Sequence, residues 1–118
     1  MKKLCAIRDL LRSLTDYEHK FHNEHSICLN EGMVLCCLRD KRLSSGEIAD
    51  EINLTCSNTS KLLRSVEEKG YISRVLGERD KRQMYFELTK TGMEKLEKIE
   101  HDNIQPSEPL NSMIKPLI

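Results

Sequence analysis

Five residues within one eight-residue stretch, Ser57, Asn58, Ser60, Lys61 and Arg64, carry hydroxyl, carboxamide and cationic groups at spacings that a helix turns outward together. Short hydroxyls and carboxamides can bond base edges. Asparagine pairs bidentately with adenine, and lysine or arginine reaches guanine or a phosphate. Acidic residues arrive only later, at Glu67 and Glu68. A second basic cluster follows in Gly77–Arg82, where Arg79, Lys81 and Arg82 sit beside Glu78 and Asp80, with Arg74 just upstream. An arginine at a hairpin tip can enter a narrow minor groove, and Asp80 can direct Arg82 through an ion pair. A nucleic-acid duplex suits both clusters. Taken singly, each is also what a solvated helix face or a charged turn would look like.

Two further constellations carry chemistry. His19, His22, His25 and Cys28 recur at every third residue, and imidazole and thiolate are good ligands for zinc and similar metals. A three-residue step drifts by about 60° on a helix, so the four need not face one point. The ordinary alternative is a polar helix end; a regulatory metal held there is the sharper reading, and no other cofactor is expected. Cys5 and Cys56 are candidate redox thiols. Cys56 opens a helix whose dipole would lower a thiol pKa. Cys36 and Cys37 fall in an apolar run and read as packing. The five cysteines show no C-x-x-C spacing, so no disulfide framework is expected. A phosphate-binding glycine loop, H-E-x-x-H and a nucleophile elbow are all missing, so no catalytic residue is assigned and no enzyme is expected.

At 118 residues the chain suits one domain. Nineteen basic and nineteen acidic residues cancel to a formal net charge of zero, which argues against a nonspecific polycation. It leaves open a local basic face, which is what a duplex reads. The first residues are basic, but Arg8, Asp9 and Arg12 interrupt any apolar run, and no run is long enough to span a bilayer. The expectation is a cytoplasmic protein with no membrane partner.

The elements that must position these groups are legible from periodicity. Leu4, Ile7, Leu11, Leu14, Tyr17 and Phe21 form one helical stripe. Asn30 reads as the N-cap of a second helix over Glu31–Asp40, whose run Met33–Leu38 is apolar all round and belongs in the interior. Ser44 and Glu47 predict a capping box for a third helix that ends near Ile52 and buries Ile48, Ala49 and Ile52. Thr55 or Ser57 caps a fourth helix reaching Lys69, with Gly70 as its left-handed stop. The period then drops to two. Tyr71–Leu76 reads as one strand, and Met84, Phe86 and Leu88 as the buried face of another. Thr89 opens a last long helix, carrying Met93, Leu96 and Ile99, that ends before Pro106. The proline-broken tail reads as a short helix from Pro109 or as a segment draped over a partner.

Two short helices joined by a tight turn and followed by a charged hairpin make a winged helix-turn-helix. Three segments sharpen this: SGEIADEINLTCSNTSKLLRSVEEKGYI, the wing ERDKR with its Asp-x-Arg at Asp80 and Arg82, and ELTKTG. From Leu29 to Ile99 the chain resembles the MarR (multiple antibiotic resistance regulator) family. The resemblance implies a mainly α fold with a small β-hairpin and flanking dimerisation helices. The implied segments are an N-terminal dimerisation helix over 1–28, a DNA-binding domain over 29–90, and a C-terminal dimerisation helix and tail over 91–118. It implies a homodimer that binds double-stranded DNA as a repressor, released by a small-molecule effector, an oxidant or a metal. Ser57, Asn58, Ser60, Lys61 and Arg64 would face the major groove. Arg82 would be the minor-groove arginine, with Asp80 as its anchor. Family members carry two full helices after the wing, where this chain has one and a broken tail. The alternatives are a winged-helix protein-interaction module that does not bind DNA, and a metal- or thiol-responsive sensor.

Overall fold

A computed structural model describes residues 2–77 and 82–118. In chain order the elements are α1 (Lys2–His25), α2 (Leu29–Cys37), α3 (Ser45–Ile52), α4 (Cys56–Glu68), β1 (Ile72–Leu76), β2 (Met84–Leu88), α5 (Lys90–Glu100), α6 (Leu110–Ile114) and a closing 3-10 turn, Lys115–Leu117. None of the described helices is long and apolar enough to cross a membrane.

Local chemistry sets most of these boundaries. The Glu47 amide donates to Ser44 Oγ at 3.2 Å and the Ser44 amide to Glu47 Oε1 at 2.9 Å, which closes the expected capping box at the start of α3. Asn53 ends α3 with φ 57°, a left-handed conformation that asparagine tolerates better than most residues. Thr55, rather than Ser57, caps α4, its Oγ1 accepting from the Asn58 amide at 3.2 Å. Gly70 follows α4 at φ +81°, where a Cβ would be strained. Thr89 caps α5 and accepts from the Gly92 amide at 3.0 Å.

The chain divides into two compact units, Met1–Leu29 with Asp102–Ile118, and Asn30–His101. α5 belongs to the Asn30–His101 unit. The reason is packing: Leu96 is buried, Arg39 pairs with Glu100, and the first turn of α5 lies directly on the Tyr71 backbone.

In the Asn30–His101 unit, Val34, Leu35, Leu38, Ile48, Leu63, Val66, Ile72, Phe86 and Leu96 are buried. β1 and β2 pair antiparallel with Ile72 opposite Leu88, Arg74 opposite Phe86 and Leu76 opposite Met84. Leu43 bridges the outer edge of β2, its amide donating to the Phe86 carbonyl at 3.2 Å and its carbonyl accepting from the Phe86 amide at 2.8 Å. Four expectations change. α2 starts at Leu29, so Asn30 lies inside it, and Met33 and Cys36 are exposed, so α2 has a solvent face. β1 starts at Ile72. Met84 is exposed and only Phe86 is fully buried on its strand, because Leu76 and Met84 pair at the outer end of the hairpin, where both are exposed.

In the other unit, α1 buries Ser13, Phe21 and His25. His25 Nε2 lies 2.6 Å from Asp102 Oδ2, its ring 4.8 Å from that of Phe21, and the Ile104 amide donates to Asp102 Oδ1 at 3.2 Å. The tail forms α6, the short helix expected after Pro109.

Candidate nucleic-acid interface

The helix-turn-helix places the sequence-derived polar set on one helix. Thr59, Leu63 and Val66 face the interior of the unit, and Ser57, Asn58, Ser60, Lys61 and Arg64 are all exposed. At about 100° per residue, Ser57, Ser60, Lys61 and Arg64 fall within an arc of about 100°, with Asn58 about 60° beyond its edge. Thr59 Oγ1 donates to the Thr55 carbonyl at 2.8 Å, so the first turn of α4 is fastened twice to Thr55.

The charge pattern resolves the apparent neutrality of the chain. Arg39 pairs with Glu100, Lys41 with Glu51, Arg42 with Glu87, Lys69 with Glu31 and Arg74 with Glu67. Lys61 and Arg64 have no carboxylate partner among the described residues, so their charge is presented outward. Glu68, one turn beyond Arg64, is the acidic limit of this face.

The wing is placed in part. Gly77 donates to the Gln83 carbonyl at 2.9 Å and closes the base of the hairpin, and Arg82 follows as an exposed residue. Arg79, Asp80 and Lys81 lie outside the described residues. Arg74 is not a wing-tip group. Its Nε donates to both Glu67 oxygens, at 3.2 and 3.0 Å, and its guanidinium lies 5.5 Å from the Phe86 ring centre. It therefore ties β1 to α4.

The proposed metal ligands are not brought together. His25 is buried and spent on Asp102, His19 and His22 are exposed, and Cys28 lies beyond the end of α1. No group of three or more His, Cys, Asp or Glu among the described residues is arranged to hold a metal ion. The cause is helical drift, which turns His25 inward while His19 and His22 stay in solvent. His101 Nδ1 is used on the Glu97 carbonyl at 2.9 Å.

Of the thiols, Cys56 is exposed as the first residue of α4 and Cys5 is half-buried. Burial pushes the Cys37 thiol up to about 11, and a hydrogen bond to Glu51 adds to the rise. At pH 8 only about 0.1% of Cys37 is thiolate. We expect iodoacetamide at pH 8 to alkylate Cys56 and spare Cys37, with Cys37 reacting only as the pH approaches 11. Mass mapping of the peptides decides it; equal labelling of the two at pH 8 would contradict the placement of Cys37.

Sequence reasoning missed one buried cluster. Glu31, in the first turn of α2, is buried, and its Oε2 accepts from Ser65 Oγ at 2.9 Å and from Lys69 Nζ at 2.5 Å. Only the tertiary fold reveals it, since the partners lie 34 and 38 residues away.

Against this geometry, the family model described as "Transcriptional regulator SarA/Rot" matches residues 16–99. The chain belongs to the SarA/Rot family of transcriptional regulators. This SarA/Rot-family chain is 34% identical over 99 residues to the HTH-type transcriptional repressor YetL of Bacillus subtilis (strain 168), covering 75% of its own length and 59% of YetL. The chain thus spans about three-fifths of that relative. Its fold is that of MarR-type structures. A mutant MarR from E. coli, solved with operator DNA, superposes with a TM-score of 0.72 at 16% identity, over 98% of this chain and 92% of that one. MepR of S. aureus, solved as a DNA complex, gives 0.64 at 21%, over 94% and 86%. The winged helix-turn-helix read from the sequence is therefore the architecture of this family member.

Proposed function

We propose that this SarA/Rot-family protein is a sequence-specific double-stranded DNA-binding regulator that acts in the cytoplasm as a homodimeric repressor and is released by a small-molecule effector. The observation that carries the reading is the outward face of α4. Lys61 and Arg64 stand apart from the ion pairs that neutralise the neighbouring cations, and they share an exposed arc with Ser57 and Ser60, with Asn58 also exposed beside it. That arc offers hydroxyls, a carboxamide and two cations to base edges and phosphates. Arg82, next to the closed hairpin base, is the wing residue of the same reading.

Dimerisation draws support from the other unit. Leu4, Ile7 and Leu11 are 66%, 45% and 58% exposed along one stripe of α1. A groove of about 1090 Å³ runs between the first half of α1 and the tail, with Ile7, Leu10, Pro109 and Met113 among its walls. An apolar stripe of this kind on a helix favours a partner surface over water.

Selection of bound fragments from random duplex DNA by the full chain tests the reading. We expect enrichment of a palindrome with half-sites about one helical turn apart, and an affinity that falls steeply with salt as phosphate contacts release counterions. Recovery of no common sequence would overturn sequence-specific binding.

A further inference from the structure

We propose that Glu31 is a positioning residue for DNA recognition: with Ser65 and Lys69 it forms a half-buried clamp that fixes the orientation of α4 and so the register of its outward face. This rests on the DNA-binding reading above.

The three groups form a closed triangle. Glu31 Oε2 accepts from Lys69 Nζ at 2.5 Å and from Ser65 Oγ at 2.9 Å, and Lys69 Nζ also donates to Ser65 Oγ at 2.9 Å. The Glu31 side chain is 8% exposed and that of Lys69 37%, so the carboxylate is sheltered while the ammonium bridges to the surface. Both charges suit their helix ends. Glu31 lies in the first turn of α2, where the dipole favours an anion, and Lys69 is the C-cap of α4, where it favours a cation.

The fully buried residues of α4 are Thr59, Leu63 and Val66, with Leu62 half-buried beside them, and apolar contact of this kind is non-directional. Thr55 fastens the first turn. From Ser65 onward the helix end is held through Ser65 and Lys69 to Glu31, and through Glu67 to Arg74. A buried ion pair adds little net stability over apolar packing of the same volume, but unlike apolar contact it is directional. A direction is what a reading helix needs, since small misplacements separate its side chains from base edges.

The test uses the full chain with E31Q, K69M and the double variant. Without DNA, amide exchange in the last two turns of α4 should rise at least tenfold in E31Q. With DNA, E31Q and K69M should each weaken binding to the selected sequence about tenfold, and the double variant no more than either alone. Affinity for unrelated DNA and its salt slope should stay at wild-type values, an outcome that general loss of folded protein would not give. Unchanged exchange in α4 overturns the clamp, whether or not the protein binds DNA. So does an equal further loss from K69M in the E31Q background together with a reduced salt slope, since Lys69 would then be touching phosphate. If E31Q fails to fold, S65A removes one donor and is judged by the same exchange criterion. A wild-type chain that binds no duplex would refute the DNA-binding reading, while the exchange measurement still decides the clamp.

Discussion

Replacing Gly92 with alanine should destabilise the protein by about 3 kcal/mol, among the larger effects a single substitution produces. A Cβ at this position would lie 1.9 Å from the Tyr71 carbonyl oxygen, 2.9 Å from its carbonyl carbon and 3.2 Å from its Cα. All three are backbone atoms, so no side chain can rotate away. Nor can the carbonyl yield cheaply, because it accepts from the Thr89 amide at 3.0 Å. Thr89 is committed as well: its Oγ1 donates to the Gly70 carbonyl at 2.6 Å while accepting from the Gly92 amide at 3.0 Å. The start of α5 and the turn after α4 are thus one hydrogen-bonded knot, and room for a methyl group requires α5 to lift off it. In a thermal melt the midpoint should fall by roughly 10 °C or more. Gly46→Ala is the internal control. Its Cβ would meet only Ser44 Oγ, at 4.0 Å, and it sits near the start of α3, where alanine is the better helix former. That variant should match or slightly exceed the wild type. A Gly92→Ala protein within about 1 kcal/mol of wild type would mean that α5 does not dock as described.

The same knot shows which parts of the fold were legible in advance. Thr89, Gly70, Ser44 with Glu47, and Thr55 all announce themselves, because a cap or a left-handed stop is settled by residues within about four positions. The change of period after Gly70 is equally local. What failed to show depends on distant partners. Asn30 has the chemistry of an N-cap, yet α2 begins a residue before it. Met84 alternates correctly with Phe86, yet it lies past the end of the core, and alternation cannot say where a core stops. Leu43 joins the sheet through one residue, too short for any pattern. At the candidate site, the outward set on α4 is a matter of helical phase and could be read from spacing. Its electrostatic exposure could not. Whether a lysine is neutralised depends on carboxylates brought in by folding, as Glu51 is to Lys41 and Glu31 to Lys69. The histidine series is the reverse case: its three-residue step need not bring the four groups to one point, and the fold spends His25 on Asp102.

Reversing both unneutralised cations of α4, Lys61→Glu with Arg64→Glu, should lower affinity for the selected DNA by about a thousandfold, since each such interaction carries roughly 1–3 kcal/mol. Both side chains are exposed and neither has a carboxylate partner among the described residues, so the melting midpoint should stay within a few degrees of wild type. The salt dependence separates the mechanisms available. If the two residues bind phosphates, the slope of log affinity against log salt should drop by about one for each cation that no longer neutralises a phosphate. If they bind base edges, discrimination between the selected sequence and unrelated DNA should collapse with little change of slope. Reversing Lys90 and Lys98 on α5, both exposed, changes the net charge of the protein equally. That control should cost less than tenfold. A chain whose total charge is zero cannot hold a duplex by its overall field, so on the proposed reading the affinity depends on where the uncancelled cations stand. Equal losses in the two double variants would show instead that position on α4 is immaterial, and would refute the role proposed for α4.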